Sequence, residues 1–230
     1  MQGLYINHQG IPLMQNDDPN CVIEQKIAGI CHNLTVQGFS VVPDFLPLIV
    51  ANAMHLEASS QQRLDFKQAA IGREHQQQVN TRVRRDSIAW LNGDNEFQKM
   101  YLSLMEHLRT EINRRLFLGL FDYESHFAYY APGDYYQRHV DAFAGGNNRV
   151  LSTVVYLNPD WTKSDQGELL MFHDKQSSPF LIIEPLFNQC VIFLSEQFPH
   201  EVRITNSVRY SIAGWYRINA SIGGQIDPPL

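Results

Sequence analysis

A histidine and a carboxylate stand two residues apart in the stretch YYQRHVDAF, at His139 and Asp141. In a β-strand, residues i and i+2 point to the same face of the sheet, so the two side chains would converge on one point. One interpretation is that this pair forms half of a metal site. The other is that it is simply an exposed histidine beside an exposed aspartate. The choice between these interpretations depends on whether the chain supplies a third ligand.

The motif FPHEV supplies a third candidate ligand, His200, at the start of a predicted strand. Two histidines and one carboxylate form a facial triad that leaves coordination positions open, which is typical of non-haem Fe(II) oxygenases. A structural zinc site would instead be closed by four protein ligands. Two other histidines compete for the role, but neither His126 nor His173 has a carboxylate at i+2. Both are predicted to be surface or strand-end residues.

A candidate anion-binding residue, Arg209, begins the predicted strand that follows the strand of His200. If these two strands form a hairpin, the two residues lie on one wall of the same pocket. A buried arginine requires an anion. A dicarboxylic co-substrate that chelates the metal at one end would present a carboxylate at its other end. The alternative is a solvated arginine at a strand edge.

The elements that must position these residues divide the chain into two parts. Apolar residues recur at helical spacing over 21–36, 48 to about 64, and 97–116, which predicts three helices. The runs FSVV and VRRDSIAWL predict two early strands. After residue 121, short β-rich runs separated by turn signals such as PGD and GGNN predict a β-sandwich or an open barrel. The predicted class is therefore α+β, with N-terminal helices buttressing a β core.

Length and composition indicate one globular domain, because the chain has 230 residues, of which 44% are hydrophobic and 18% charged. We predict an N-terminal extension at 1–20 and a single domain at 21–230, with helical support at 21–120 and a β core at 121–217. The net charge of −6, without a long basic run, argues against nucleic acid or a membrane as a partner. Three cysteines without a CxxC motif, and no signal peptide or membrane span, predict a cytoplasmic protein.

The order HxD, distal H and distal R resembles that of the 2-oxoglutarate and iron(II)-dependent oxygenases. The finer resemblance is to the prolyl 4-hydroxylase branch, which includes the hypoxia-sensing prolyl hydroxylases and their bacterial relatives. The resemblance covers about residues 39–216 and is densest after residue 130. The matching stretches are RRDSIAWLNG, YAPGDYYQRHVD, NRVLSTVVYLNPDW, IEPLFNQCVIFLS and PHEVRITNSVRYSIAGWY.

The resemblance implies roles for the residues around the metal and the co-substrate. Arg209 and Tyr156 match residues that bind the distal carboxylate of 2-oxoglutarate. Tyr130 matches a tyrosine near the co-substrate, with Tyr129 as a competing position, and Trp215 matches a tryptophan on the co-substrate wall. Without the resemblance, Tyr156 and Trp215 are equally well explained as core aromatics. The matching iron ligands are His139, Asp141 and His200.

On the substrate side, the resemblance implies an arginine at the opening of the site, Arg149, and a charged pair, Arg84 and Asp86. The alternative for the pair is a surface ion pair that contributes little. The polar, glutamine-rich stretch at 67–85 matches a loop that covers a peptide substrate. Two departures from the family, a single Gly167 where GG is common and a longer AFAGGNN stretch, leave the identity of the substrate open.

The resemblance implies a double-stranded β-helix, or jelly-roll, core and an enzyme that uses Fe(II), 2-oxoglutarate and O2, with ascorbate as an accessory reductant. The implied reaction hydroxylates a prolyl residue of a protein to 4-hydroxyproline and releases succinate and CO2. One alternative is the same chemistry on another protein side chain or a small molecule. Another is a non-catalytic sensor of oxygen or 2-oxoglutarate, which an intact triad with Arg209 argues against.

Overall fold

The computed structural model describes residues 19–60, 64–69, 83–142, 148–219, 221–222 and 225–226. The predicted N-terminal extension lies almost entirely outside these residues, and so does most of the predicted loop at 67–85. Part of the AFAGGNN stretch is also outside them.

The three predicted helices are confirmed: α1 (Pro19–Gln37), α2 (Leu48–Ser59) and α3 (Glu96–Leu116). The second ends before the predicted residue 64. At the start of α3, the side chain of Asn95 accepts a hydrogen bond from the backbone N–H of Gln98 at 2.9 Å, which satisfies one of the free donors of the first turn. Among the described residues, no helix is both long enough and apolar enough to cross a bilayer.

The strands of the described residues begin with FSVV and the SIAW part of VRRDSIAWL, as predicted, and most of the others follow α3. They are β1 (Phe39–Val42), β2 (Lys67–Gln68), β3 (Ser87–Trp90), β4 (Leu120–Tyr130), β5 (Tyr136–His139), β6 (Arg149–Tyr156), β7 (Leu169–Met171), β8 (Leu181–Ile183), β9 (Cys190–Leu194), β10 (His200–Val202), β11 (Arg209–Ile218), β12 (Ser221–Ile222) and β13 (Gln225–Ile226).

Two antiparallel sheets make up the β core. The larger has seven strands in the order β1-β9-β6-β11-β4-β3-β2, and the smaller has four in the order β5-β10-β7-β8. Apolar side chains from both sheets meet in one cluster, in which Tyr156 and Phe193 of the larger sheet join Met171 and Val202 of the smaller. The arrangement is a jelly roll with helices on the outside of the larger sheet, which confirms the α+β class.

The strands of His200 and Arg209 do not form a hairpin, so the condition for placing both residues on one wall is not met. β10 pairs with β5 and β7 in the smaller sheet, whereas β11 pairs with β4 and β6 in the larger sheet. The connection between them crosses from one sheet to the other and is held by Thr205, whose N–H donates to the carbonyl of Asp134 at 3.1 Å. The histidine and the arginine therefore belong to opposite sheets.

Alternate residues of β11 face different environments. Tyr210, Ile212 and Tyr216 join the core between the larger sheet and the helices, which includes Met105 of α3. Gly214 has no room for a side chain on this face, because a Cβ would collide with the hydroxyl of Tyr123. The residues between them face the inside of the jelly roll, where the candidate site lies.

Candidate active site

The structure brings the three predicted metal ligands together at the open end of the smaller sheet. His139 ends β5 and His200 begins β10, and the two are direct partners across the pair of strands. Asp141 follows just beyond the end of β5, with its Oδ1 3.6 Å from Nε2 of His139 and its Oδ2 3.6 Å from Nε2 of His200. One ligand atom from each residue lies within 4.8 Å of the others, a spacing that could hold a metal ion.

Both imidazole rings are oriented by backbone carbonyls. Nδ1 of His139 lies 2.8 Å from the carbonyl oxygen of Gln137, and Nδ1 of His200 lies 2.9 Å from that of Phe198. A carbonyl only accepts, so each Nδ1 carries a hydrogen and each Nε2 is the ring nitrogen that faces Asp141. The ring of Tyr136 stacks on His139 with centroids 3.6 Å apart, which further fixes that ring.

The protonation states of Asp141 and His200 are those that metal binding requires. Burial opposes its ionisation, but the adjacent His200, then His139 and the Ser152 hydroxyl, hold the pKa of its carboxyl well below the usual value. Burial first, and then the neighbouring His139, lower the pKa of His200 to about 4. A neutral imidazole beside an ionised carboxylate is ready to bind a metal ion. This donor set of two nitrogens and one oxygen fits Fe(II).

Two serines that the sequence did not single out support this carboxylate. Ser152 donates a hydrogen bond from Oγ to Oδ2 of Asp141 at 2.6 Å, and its Oγ lies 2.9 Å from that of Ser195. The sequence does offer one signal for Ser152, its even spacing from Tyr156. The two residues are four apart in one strand, so they share the inward face.

Arg209 lies inside the jelly roll with 1% of its surface exposed. Its Nε donates to the carbonyl of Gly167 at 3.0 Å, and its Nη1 lies 3.3 Å from Oγ of Ser211. The guanidinium carbon sits 4.9 Å and 5.1 Å from the ring centroids of Tyr130 and Tyr156. Within the described residues, no carboxylate forms an ion pair with it. The alternative of a solvated arginine is therefore wrong.

Tyr156, beside Arg209, has a buried hydroxyl without a hydrogen-bond partner among the described residues. Burial raises the pKa of Tyr156 to about 12, although Arg209 opposes the shift, so the phenol keeps its hydrogen and can donate. A buried polar group that lacks a partner is costly. A guanidinium without a counter-ion and an unused hydroxyl donor together are complementary to a carboxylate, so these residues fit one end of 2-oxoglutarate.

The two tyrosines that competed for the position near Arg209 face opposite sides of β4. Tyr130 faces inward and lies under the Arg209 guanidinium. Tyr129 faces the helices, where its ring packs against Phe66 and Tyr210 at centroid distances of 5.8 and 5.5 Å. Only Tyr130 is therefore beside the arginine.

The predicted pair Arg84 and Asp86 is largely shielded from solvent, with 12% and 0% of the two side chains exposed, so its interpretation as a surface ion pair is wrong. Nε of Arg84 donates to Oδ1 of Asp86 at 2.7 Å and Nη2 donates to Oδ2 at 2.5 Å, and the Asp86 side chain is fully buried. The guanidinium lies 4.5 Å from the ring centroid of Tyr136, which stacks on His139. The pair is thus connected to the metal ligands through one aromatic ring, Tyr136, which was not among the predicted site residues.

Trp215 and Arg149 lie together. The Arg149 guanidinium carbon is 3.6 Å from the Trp215 ring centroid, and its Nε and Nη2 donate to Oε1 of Glu124 at 3.0 and 2.8 Å. Trp215 is the direct strand partner of Ser152, and its indole N–H is buried without a partner among the described residues. Trp215 therefore belongs with Arg149, near the metal ligands, and lies six residues along β11 from Arg209.

The prediction that His126 is a surface or strand-end residue is wrong, whereas His173 is exposed as predicted. His126 lies in the middle of β4 with 2% exposure, and its ring is stacked between Trp90 and Trp215 at centroid distances of 5.3 and 5.4 Å. Burial, and then Arg84 and Arg149, lower its pKa to about 3. His126 is therefore a neutral, buried histidine that packs between two tryptophans and is not one of the candidate metal ligands.

Sequence comparison matches residues 125–217 to the family model described as the 2OG-Fe(II) oxygenase superfamily. The matched segment contains all three candidate metal ligands and Arg209. Human Egl nine homolog 1 is 31% identical over 143 residues, which is 58% of this chain. The chain spans 33% of the length of that relative.

Structural comparison extends the likeness to nearly the whole chain. A Pseudomonas putida prolyl-4-hydroxylase is 36% identical with a TM-score of 0.75, and the match covers 84% of this chain and 98% of that one. A Trichoplax adhaerens prolyl hydroxylase, solved with a peptide fragment of the hypoxia inducible factor oxygen degradation domain, is 25% identical with a TM-score of 0.74. That match covers 89% of this chain and 94% of the other.

Proposed function

Because the chain belongs to the prolyl hydroxylase branch of the 2OG-Fe(II) oxygenase superfamily, we propose that it hydroxylates a prolyl residue of a protein to 4-hydroxyproline. The observation that carries the proposal is the buried Arg209 without a carboxylate partner, beside the unused hydroxyl of Tyr156. Both face the same interior as the metal ligands. A structural metal site would have no use for a separate anion pocket at this position.

Each group of residues has a role in this proposal. His139, Asp141 and His200 hold the metal, and Arg209 with Tyr156 holds the distal carboxylate of 2-oxoglutarate. Bound Fe(II), with 2-oxoglutarate and O2, supplies the oxidation that yields hydroxylated product, succinate and CO2, and ascorbate serves as an accessory reductant. The burial of Arg209 strengthens its attraction to an anion, because water does not screen the pair.

The proposed substrate is an extended, proline-containing segment of a protein. Both structural relatives are prolyl hydroxylases by name, and one was solved with a peptide. In this chain, Arg149 lies on Trp215 of β11, and the Arg84–Asp86 pair lies on Tyr136, which stacks on the candidate ligand His139. A proline ring is a suitable guest for such aromatic walls, because its restricted backbone loses little entropy on binding.

The proposal treats residues 21–230 as a single oxygenase domain that works in the cytoplasm. Two described cysteines, Cys31 and Cys190, are buried free thiols, which favours a reducing compartment. The net charge of −6 and the lack of a membrane-crossing helix among the described residues give no support to nucleic acid or a bilayer as a partner.

The experiment is a coupled assay on the purified chain with Fe(II), ascorbate and 2-oxoglutarate, with the Asp141→Ala variant as the inactive control. Succinate release is measured first. A proteome lysate is then treated and searched by mass spectrometry for proline with one added oxygen, identified against a 4-hydroxyproline standard. We expect both signals to depend on Asp141.

The alternatives give different results in the same assay. Oxygen added to another side chain or to a small molecule would keep the chemistry and overturn the prolyl substrate. Tight binding of 2-oxoglutarate without succinate release would indicate a non-catalytic sensor. If the chain neither bound 2-oxoglutarate nor released succinate, the proposed co-substrate pocket would be wrong.

A further inference from the structure

A chain of two buried hydroxyl groups ends on the candidate metal ligand Asp141. Ser152 of β6, 1% exposed, contacts Oδ2 of Asp141 at 2.6 Å. Ser195, fully buried just after β9, contacts Ser152 at 2.9 Å. Ser152 belongs to the seven-stranded sheet and Ser195 directly follows its strand β9, whereas the two histidine ligands belong to the four-stranded sheet. The hydroxyl pair therefore fixes the carboxylate from the sheet opposite the other ligands.

The direction of both hydrogen bonds follows from the chemistry of the groups. An ionised carboxylate only accepts, so the single hydroxyl hydrogen of Ser152 points to Asp141. Ser152 then has only lone pairs to offer, so Ser195 must donate to it. Ser195 is itself fixed, because its backbone N–H donates to the carbonyl of Val150 at 3.0 Å. The two hydroxyl dipoles point the same way, and the bond to the charged oxygen is of the stronger, charge-assisted kind.

We propose that this Ser195–Ser152 relay is a positioning device that makes Asp141 bind the metal through Oδ1 alone. The inference rests on the proposed function, which requires a metal at the triad. A carboxylate that binds through both oxygens would occupy one coordination position more. The three protein ligands and a chelating co-substrate already leave a single position of an octahedral site for O2. By holding Oδ2 in a hydrogen bond, Ser152 preserves that position.

The alternative is that Ser152 is a satisfied core hydroxyl whose partner happens to be a ligand. If Ser152 has only a core role, removing its hydroxyl would change the free energy of unfolding and leave metal coordination unchanged. If it is part of the relay, removing the hydroxyl would change the metal affinity and the coordination of the ion. Ser125 of β4 is a matched control, because it is also a buried serine, 3% exposed, and its hydroxyl has no partner among the described residues.

The test measures Co(II) and Mn(II) binding to the full chain without co-substrate, together with the visible absorption spectrum of bound Co(II). We expect Ser152→Ala to weaken metal affinity about 10- to 100-fold, the usual effect of removing a partner of a ligand. Its Co(II) spectrum should change, because the carboxylate is free to bind through both oxygens. Ser195→Ala should cause a smaller loss in the same direction, and Ser152→Thr should restore both properties.

Further results separate the relay from simpler explanations. The double Ser152→Ala, Ser195→Ala variant should bind metal no worse than Ser152→Ala alone, because Ser195 acts only through Ser152. Ser125→Ala should keep wild-type affinity and spectrum.

Wild-type metal affinity and an unchanged Co(II) spectrum in Ser152→Ala would overturn the relay. If Ser152→Ala does not fold, Ser195→Ala decides in its place, and wild-type affinity there would also overturn it. A wild-type chain that binds neither ion would overturn the metal centre itself.

Discussion

The side chains of β11 that point outward to the helices have polar groups with partners within the protein. Several that point inward, into the jelly roll, have polar groups that lack such partners. On the outward face, Tyr216 packs into the core under the helices and donates its hydroxyl hydrogen to the carbonyl of Met105 at 2.8 Å. On the inward face, Arg209 lacks a carboxylate partner and the indole N–H of Trp215 lacks an acceptor among the described residues. Both faces are largely buried, yet these polar groups of the inward face lack partners that the outward tyrosine has.

This difference separates two uses of burial within one strand. The outward face removes apolar surface from water and therefore stabilises the fold. The inward face buries polar groups whose partners must come from a ligand, which costs folding free energy and prepares the site to bind. Changes on the inward face should therefore reduce binding and turnover without loss of stability, and changes on the outward face should do the reverse.

The largest effect is expected from Asp141→Ala. Removal of the only carboxylate among the three candidate ligands should reduce succinate release to the background while the chain still folds. Asp174→Ala is the control, because that side chain is 77% exposed. Turnover of Asp141→Ala at the wild-type rate would mean that the triad is not the catalytic centre.

Next in size is Arg209→Ala, measured as the 2-oxoglutarate concentration needed for half-maximal turnover. Truncating one partner of a desolvated charge pair costs about 2–5 kcal/mol, which corresponds to roughly a 30- to 4000-fold higher requirement. Without co-substrate, the variant should melt no lower than the wild type. Arg203→Ala, an arginine with a 47% exposed side chain, is the control. A large drop in melting temperature with an unchanged requirement would break the contrast between the two faces.

On the outward face, Gly214→Ala should destabilise the fold by about 1–3 kcal/mol, because overpacking displaces a neighbour. The neighbour is Tyr123, whose hydroxyl is held by Tyr101 at 2.8 Å and by Thr153 at 2.9 Å. Denaturant unfolding measures the effect. Gly29→Ala in α1, where a Cβ would meet nothing within 4 Å, should instead be neutral or stabilising. Equal stability of both variants would contradict the crowding at Gly214.

The smallest effect is expected from a pair of matched hydroxyl deletions. Tyr156→Phe removes one donor to the co-substrate and should raise the 2-oxoglutarate requirement about 2- to 12-fold, or somewhat more because the acceptor is charged. Tyr216→Phe should leave that requirement unchanged and lower the free energy of unfolding by about 0.5–1.5 kcal/mol. If Tyr156→Phe raised the requirement more than Arg209→Ala, the assignment of the pocket would be wrong.

The sequence predicted what depends on local spacing. The i, i+2 spacing of His139 and Asp141 and the PHEV motif identified the three candidate ligands, although Asp141 lies just beyond β5 and not within the strand. Helical periodicity likewise located α3 to within one residue at its start. Local patterns of this kind are repeated over several residues, so single exceptions do not hide them.

Long-range pairing was not predictable in the same way. Nothing near Arg203 indicates that the chain crosses between sheets before Arg209, because the choice of strand partner depends on contacts far apart in sequence. The inward side of β4, which distinguishes Tyr130 from Tyr129, depends on the same register. For Ser152, the four-residue spacing from Tyr156 indicates only the inward face of the strand, and its hydrogen bond to Asp141 depends on packing across the jelly roll.

The placement of the metal ligands and the arginine on opposite sheets also has a consequence for the lifetime of the protein. On the proposed function, 2-oxoglutarate bound to the metal joins both sheets, so it binds the closed jelly roll and not the unfolded chain. Co-substrate at 100 times its dissociation constant would add about 2.7 kcal/mol of stability, which is roughly a hundredfold fewer unfolded molecules at any moment. Proteases act on those molecules. Supply of metal and 2-oxoglutarate would thus set both the rate at which each molecule works and the number of molecules that survive.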